Sequence, residues 1–285
     1  MALSLILCFG TAAGLFSDRF SLAPCDNQIW IMLACPVRQC GQPLTLTGPL
    51  ATCPRGHSFD RARSGYWNLL QPQDRRSPHA GDSKAAVAAR RRLHDRGLFT
   101  PILEALSQTL ALVPHHSLLD VGCGEGSYLG PLAAASGCRA AGLDLSPAAI
   151  DLAARRYPHC TWVVANADRR LPFLSASFTH LISITARRHT AEFQRVLAPG
   201  GQLLIAVPGP FDLAELRGAG KSRRDVVLAE FPPPFTLTAS RNVTFQIPAG
   251  EATLADFRLA IYRPRGPVAS SQLTISLDFF TFTLP

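Results

Sequence analysis

The sequence predicts an α/β protein: a Rossmann-like sheet preceded by a small N-terminal metal-binding module. Three observations lead there. From Ser117 to Val207 short apolar runs alternate with helical patterns, and a glycine-rich turn follows the first run, as in a parallel sheet wound with helices. Ahead of that region stand three cysteines and a histidine at close spacing. The charge is also uneven: of the net +8, residues 35–100 hold 11 Lys+Arg against 4 acids, a local +7. A hydrophobic content of 47% excludes a disordered polar chain. Beyond the first few positions no run approaches the ~18 uncharged apolar residues of a membrane span. Four segments are expected: an extension at 1–34, the metal module at 35–70, a basic bridge at 71–100 and the sheet domain at 101–285.

The first segment opens with an apolar run, yet its first basic residue is Arg19, so it lacks the charged start of a secretory signal. Only Met1 and Met32 are methionines, and Met32 stands three residues before Cys35. A functional start near Met32 is therefore expected, with the preceding residues a poorly ordered extension or a misassigned start.

Cys35, Cys40, Cys53 and His57 read C-x4-C-x12-C-x3-H. Three thiolates and one imidazole form the ligand set of a closed, tetrahedral structural zinc site. Two ligand pairs on tight turns let so short a segment fold without a large core. Pro36 and Pro54 follow the first ligand of each pair, and Gly41 and Gly56 permit the chain reversals. No ligand position is left for water, so the zinc is structural.

The bridge becomes helical from about Asp82, with Asp82 or Ser83 as N-cap, alanines at 85, 86, 88 and 89, and Gly97 as terminator. Arg90, Arg91, Arg92 and Arg96 crowd the helix end, after Arg55, Arg61, Arg63, Arg75 and Arg76. Such a surface suits phosphate contacts, which position RNA without reading its sequence. Tyr66 and Trp67 are either stacking platforms for unpaired bases or core of the small module.

Ser117 to Val121 is expected as a buried strand leading into Gly122, Gly124 and Gly126, with Asp120 and Glu125 beside the turn. A dinucleotide fingerprint reads G-x-G-x-x-G and places pyrophosphate at a helix N-terminus. Acids at the turn are wrong for pyrophosphate and right for the sulfonium and amino group of S-adenosylmethionine. The second strand, 139–145, carries Asp144, placed to accept both ribose hydroxyls. A third strand, 161–165, leads to Asn166, Ala167 and Asp168. Phe178 to Ile184 is the fourth, and a helix from Glu192, a Pro-Gly-Gly turn and a strand at 203–207 complete the series. Arg187, Arg188 and His189 lie on the loop after the fourth strand, either holding substrate or simply solvated. Further on, FPPPF reads as a rigid turn, Leu254 to Tyr262 as an amphipathic helix and Leu273 to Leu284 as a strand.

Two resemblances follow from these residues. The order of strands, glycine turn, acids and Pro-Gly-Gly turn resembles the class I S-adenosylmethionine-dependent methyltransferases, in which the bend after the third strand borders adenine. That implies adenine contacts for Asn166, Ala167 or Asp168. Cys53, His57, Phe59, Asp60, Ala62, Gly65, Tyr66, Asn68, Leu69, Leu70, Gly81 and Asp82 further resemble the zinc-binding module of the bacterial 23S rRNA (guanine-N1)-methyltransferases, with x4 replacing x2 in the first cysteine pair. The resemblance covers residues 35 to about 215. It implies cofactor contacts at Phe99, where family members have Tyr, and at Asp212, where another has His.

Methylation of guanine N1 in a hairpin of 23S rRNA is then the expected activity, with S-adenosylmethionine and structural Zn2+ as cofactors. Guanine N1 carries a proton near neutral pH and needs a base, or release to water; Asp212 is the first candidate base, or alternatively caps the helix containing Glu215. The alternatives are a small-molecule methyltransferase of the same fold and a zinc-stabilised RNA-binding protein without turnover. The expected partners are 23S rRNA and a second copy of the chain as a homodimer, without a membrane, in the cytoplasm.

Overall fold

The computed structural model describes residues 33–74, 81–260 and 270–285. The expected Met32 start, Arg75, Arg76 and Tyr262 lie outside the described residues. Leu33 and Ala34, which the expected boundary puts in the extension, are fully buried, with Leu33 bridging Phe173 and Ala34 bridging Pro43. Ordered packing therefore begins before residue 35.

The module is a three-stranded antiparallel sheet of β1 (Thr45–Thr47), β2 (Leu50–Thr52) and β3 (Ser58–Asp60). With strands this short, little apolar surface is available to hold it. A fourth strand, β4 (Trp67–Asn68), leaves the module and joins the main sheet in parallel. The sheet thus crosses the expected boundary region near residue 70.

Helix α1 (Lys84–Asp95) begins at Ser83, whose hydroxyl accepts the Ala86 N–H at 3.1 Å. Helix α2 (Thr100–Leu110) follows, then β5 (Ser117–Val121), α3 (Leu129–Ser136), β6 (Arg139–Asp144), α4 (Pro147–Arg156) and β7 (Thr161–Val164). The α4 start is fixed twice, by Pro147 in the first turn and by Ser146 as N-cap. Next come β8 (Phe178–Ile184), α5 (Thr190–Val196) and β9 (Leu197–Pro208). The expected Pro-Gly-Gly turn is present as an irregularity within β9: Gly200 has φ +73° and the pairing with β8 jumps from Leu197 to Gln202, while Gly200 and Gly201 bond to Leu284. Short helices α6 (Ala214–Arg217) and α7 (Arg224–Glu230) precede β10 (Thr236–Pro248), α8 (Glu251–Ala260) and β11 (Gln272–Thr283).

The eight strands order β10-β11-β9-β8-β5-β6-β7-β4. From β9 to β4 all neighbours are parallel, and β11 lies antiparallel between β9 and β10. Chain order reverses between β5 and β8, so a ligand crevice is expected outside the C-terminal end of β5. β5 is buried along its whole length, as a strand covered by helices on both faces must be. The long strand β10 falls within the C-terminal region that the sequence left largely unread. Among the described residues no helix is long and apolar enough to cross a membrane.

Candidate functional site

The four expected metal ligands converge, all their donor atoms lying within 4.8 Å of one another. Cys40 Sγ and Cys53 Sγ are 3.8 Å apart, and His57 Nδ1 lies 3.4 Å from Cys35 Sγ and 3.3 Å from Cys53 Sγ. A zinc ion with bonds of about 2.3 Å to sulfur and 2.0–2.1 Å to nitrogen gives tetrahedral edges of about 3.8 and 3.5 Å. The donor set therefore fits Zn2+, and the x4 spacing does not prevent closure. It is accommodated by Gln39 and Gly41, both at positive φ, which tighten the longer loop.

The second site lies where β5 and β6 end. Gly122, Gly124 and Gly126 have φ of +81°, +54° and +76°, a run that L side chains rarely adopt. Space as well as backbone demands glycine here. A Cβ on Gly126 would stand 2.4 Å from the Trp162 ring, and one on Gly122 would stand 2.3 Å from Ala186 Cβ. Trp162 is thus a pillar beneath the turn, held by its Nε1–H donating to the Tyr157 carbonyl at 2.8 Å.

Three acids meet at this turn, Asp120 and Glu125 buried and Asp144 partly so. Asp144 fixes it, Oδ2 accepting the Gly124 N–H at 2.9 Å and Oδ1 the Ser146 N–H at 2.8 Å. Asp120 is 2% exposed and Glu125 1% exposed, and neither Asp120 Oδ1 nor Glu125 Oε2 has a hydrogen-bond partner. Burial, then the charges of Asp144 and Glu125, push Asp120 well above the usual carboxylate range. Burial likewise raises Asp144 and Glu125. An orphaned Asp120 oxygen, and a Glu125 oxygen met only by Arg90 at 3.7 Å, fit a cationic ligand that adds positive charge beside them. The sulfonium and ammonium of S-adenosylmethionine are such charges.

The other expected site residues fall around this centre. Phe99 begins α2 and packs on His94, ring centroids 4.6 Å apart. The Asn166 side chain is committed to Asp74 and to the Asp168 N–H, while the Asp168 side chain is exposed. Asp212 does not cap the short helix α6, whose N-cap is Leu213. Its Oδ1 accepts the Ser276 N–H at 2.9 Å, its other oxygen meets Arg217, and burial raises its pKa. Arg188 is paired with Glu230, whereas Arg187 is exposed on the loop that touches Gly122.

The bridge arginines are largely engaged within the protein. Arg91 pairs with Asp95, Arg92 and Arg96 both grip Asp256 on α8, and Arg90 pairs with Asp82 and Glu125. Their positive charge is offset locally, which the run of arginines did not reveal. In the zinc module Arg38, Arg55, Arg61 and Arg63 are exposed and pair with no carboxylate among the described residues. Trp67 is 3% exposed and belongs to the core, and Tyr66 packs against it. The sequence reading missed Arg90, Trp162, Ser146 and Asp74 as parts of the site. Only Arg90 carried a signal, being charged within a basic cluster.

Comparisons with known proteins match both regions of the chain. Residues 33–78 match the family described as "RlmA, N-terminal", and residues 118–201 match "Methyltransferase domain". A Micromonospora griseorubida protein described as a candidate 23S rRNA (guanine-N(1)-)-methyltransferase is 37% identical over 205 residues, 65% of this chain and 68% of that protein. The 23S rRNA (guanine(748)-N(1))-methyltransferase of Streptomyces fradiae is 34% identical over 189 residues, 65% of this chain and 66% of that protein. The matched regions span about two thirds of these relatives. A solved complex of the Haloferax volcanii Trm112 methyltransferase activator with a methyltransferase includes a chain of the same fold. That likeness has a TM-score of 0.51 at 21% identity, over 72% of this chain and 98% of that one.

Proposed function

Because the chain belongs to the 23S rRNA (guanine-N1)-methyltransferase family, we propose that it methylates N1 of a guanine in a hairpin loop of 23S rRNA. The observation that carries the reading is the presence of both sites in one chain, with the module tied to the edge of the main sheet. The tetrahedral metal set and the acid-lined glycine turn are linked through the pairing of β4 with β7 and of β7 with β6.

Zn2+ on Cys35, Cys40, Cys53 and His57 holds the module in shape. When bound, S-adenosylmethionine supplies an electrophilic methyl group. Asp120 and Glu125 face its cationic groups, and Asp144 takes the ribose hydroxyls with the lone pairs that Gly124 and Ser146 leave free. Gly122, Gly124 and Gly126 admit close approach of the backbone. Asn166 is the rigid support of the adenine side, Ala167 and Asp168 border the base, and Phe99 closes the methionine end. Asp212 is the proposed base for the N1 proton, its burial bringing its pKa nearer neutrality. Methyl transfer is an in-line displacement, so holding nucleophile and methyl in register is the protein's main contribution.

The unpaired arginines of the zinc module, rather than those of α1, are the proposed grip on RNA phosphates. A base whose N1 edge is reached must be unpaired or extruded, which favours a loop target. The same reading places the chain in the cytoplasm with its rRNA and as a homodimer, which sedimentation velocity measures. The test of function is incubation with methyl-labelled cofactor and 23S rRNA, followed by mapping of the modified nucleotide. One labelled guanine carrying the methyl at N1 is expected. Label in small metabolites instead, or RNA binding without transfer, would refute the proposal.

A further inference from the structure

Three acids converge on the glycine turn, and one guanidinium reaches in among them. Arg90, on the buried side of α1, places Nη2 2.5 Å from Asp82 Oδ2 and Nη1 3.7 Å from Glu125 Oε2. A Cβ on Gly124 would stand 3.3 Å from Arg90 Nη1, so the guanidinium lies directly over the turn. Asp144 contributes to the field that keeps Arg90 charged. His94, the nearest other basic group to Glu125 at 3.8 Å, is held neutral by burial. The geometry of Asp82 is fixed from its other side as well. The Ser146 hydroxyl donates to the Asp82 carbonyl at 3.2 Å, and Gly81 packs so closely on Ser146 that a Cβ there would lie 2.9 Å from it.

The methionine end of S-adenosylmethionine presents two cations and one anion. Buried acids suit the sulfonium and the ammonium but repel the carboxylate, so a site lined by acids alone would lose part of what it gains. A cation must stand at the same turn. We propose that Arg90 is the group that takes the cofactor's carboxylate, exchanging its long contact with Glu125 for a charge-assisted pair with the ligand. Asp82 then serves as the positioning residue that keeps the guanidinium aimed. The inference rests on the cofactor reading above and names the residue that recognises the amino-acid end.

Isothermal titration of the full chain with S-adenosylmethionine and with decarboxylated S-adenosylmethionine isolates this contact. The second ligand keeps the sulfonium and the amine and lacks only the carboxylate. Arg90→Gln should weaken binding of the first by about 10- to 100-fold, the range of a hydrogen bond to a charged group, and leave the second unchanged or tighter. Arg90→Lys, which keeps the charge without the fork, should recover part of the loss. Equal weakening of both ligands would show that Arg90 only braces the turn and would overturn the proposal. So would unchanged affinity for both. If the unsubstituted protein bound neither ligand, the cofactor reading itself would fall, a result distinct from a failure of Arg90 alone.

Discussion

Gly126→Ala tests whether the glycine turn is built on Trp162. The new methyl meets two separate costs. At φ +76° a residue with a Cβ is strained by roughly 1–2 kcal/mol. The methyl also stands 2.4 Å from Trp162 Cη2 and 3.0 Å from Cζ3, and overpacking of this kind costs about 1–3 kcal/mol. The indole has no room to retreat, since it is 1% exposed, anchored at Tyr157 and pressed against Gly142, where a Cβ would lie 2.5 Å away. The expected destabilisation is about 2–5 kcal/mol, read from urea unfolding of the single variant. The steric part belongs to the far edge of the indole, so Trp162→Phe should relieve it. In the double variant the cost of Gly126→Ala should shrink by at least about 1 kcal/mol, a favourable coupling between touching residues. Strictly additive effects, or a single-variant loss below about 1 kcal/mol, would refute the idea that the ring supports the turn.

Cys53→Ser should abolish stoichiometric zinc, measured by plasma emission on purified protein, because one lost thiolate opens the tetrahedron; retained metal would remove the site. Asp144→Ala should weaken cofactor binding by about 10- to 100-fold and lower stability, since it orphans the Gly124 and Ser146 N–H groups. His94 gives a pH signature. Burial, then Arg90 and Arg91, lower its pKa from 6.5 to about 3. The folded state therefore binds fewer protons than the unfolded state in that window, and stability falls as pH drops through it. From pH 6.5 to 5 the loss should be roughly 1.7 kcal/mol, the slope approaching 1.36 kcal/mol per unit as the unfolded imidazole becomes fully protonated, and His94→Gln should flatten it. Charge reversal at Arg38 and Arg55 should weaken rRNA binding and reduce its salt dependence while leaving cofactor affinity unchanged, as filter binding at several salt concentrations would show.

The parallel strands from β5 to β9 were legible because each contains a short apolar run, and two of them carry an acid at or beside their last residue. Asp120 and Asp144 mark the ends of β5 and β6, and β8 runs between the residues expected for it. The zinc ligands were legible from spacing alone. The strand β10 was not. Its alternation of apolar positions, Val243, Phe245 and Ile247, is confined to its second half, after the polar run Ser240-Arg241-Asn242, and most of it is exposed. The pairing of bridge arginines was also hidden, because Asp256, the partner of Arg92 and Arg96, lies more than 150 residues along the chain. Charge runs report composition, whereas the free charge of a surface depends on acids that only the fold brings near. For the same reason Trp162, unremarkable in its strand, became visible as the pillar of the turn only when the space beside Gly126 was measured.

The two residues of β4 have an importance out of proportion to their length. They cover the outer edge of β7, a run of Thr, Trp, Val and Val whose β-propensity would otherwise offer an open template to another chain. Their position depends on the module, and the module on its metal. Chelation is therefore expected to show itself first as self-association through β7, which light scattering with and without chelator measures.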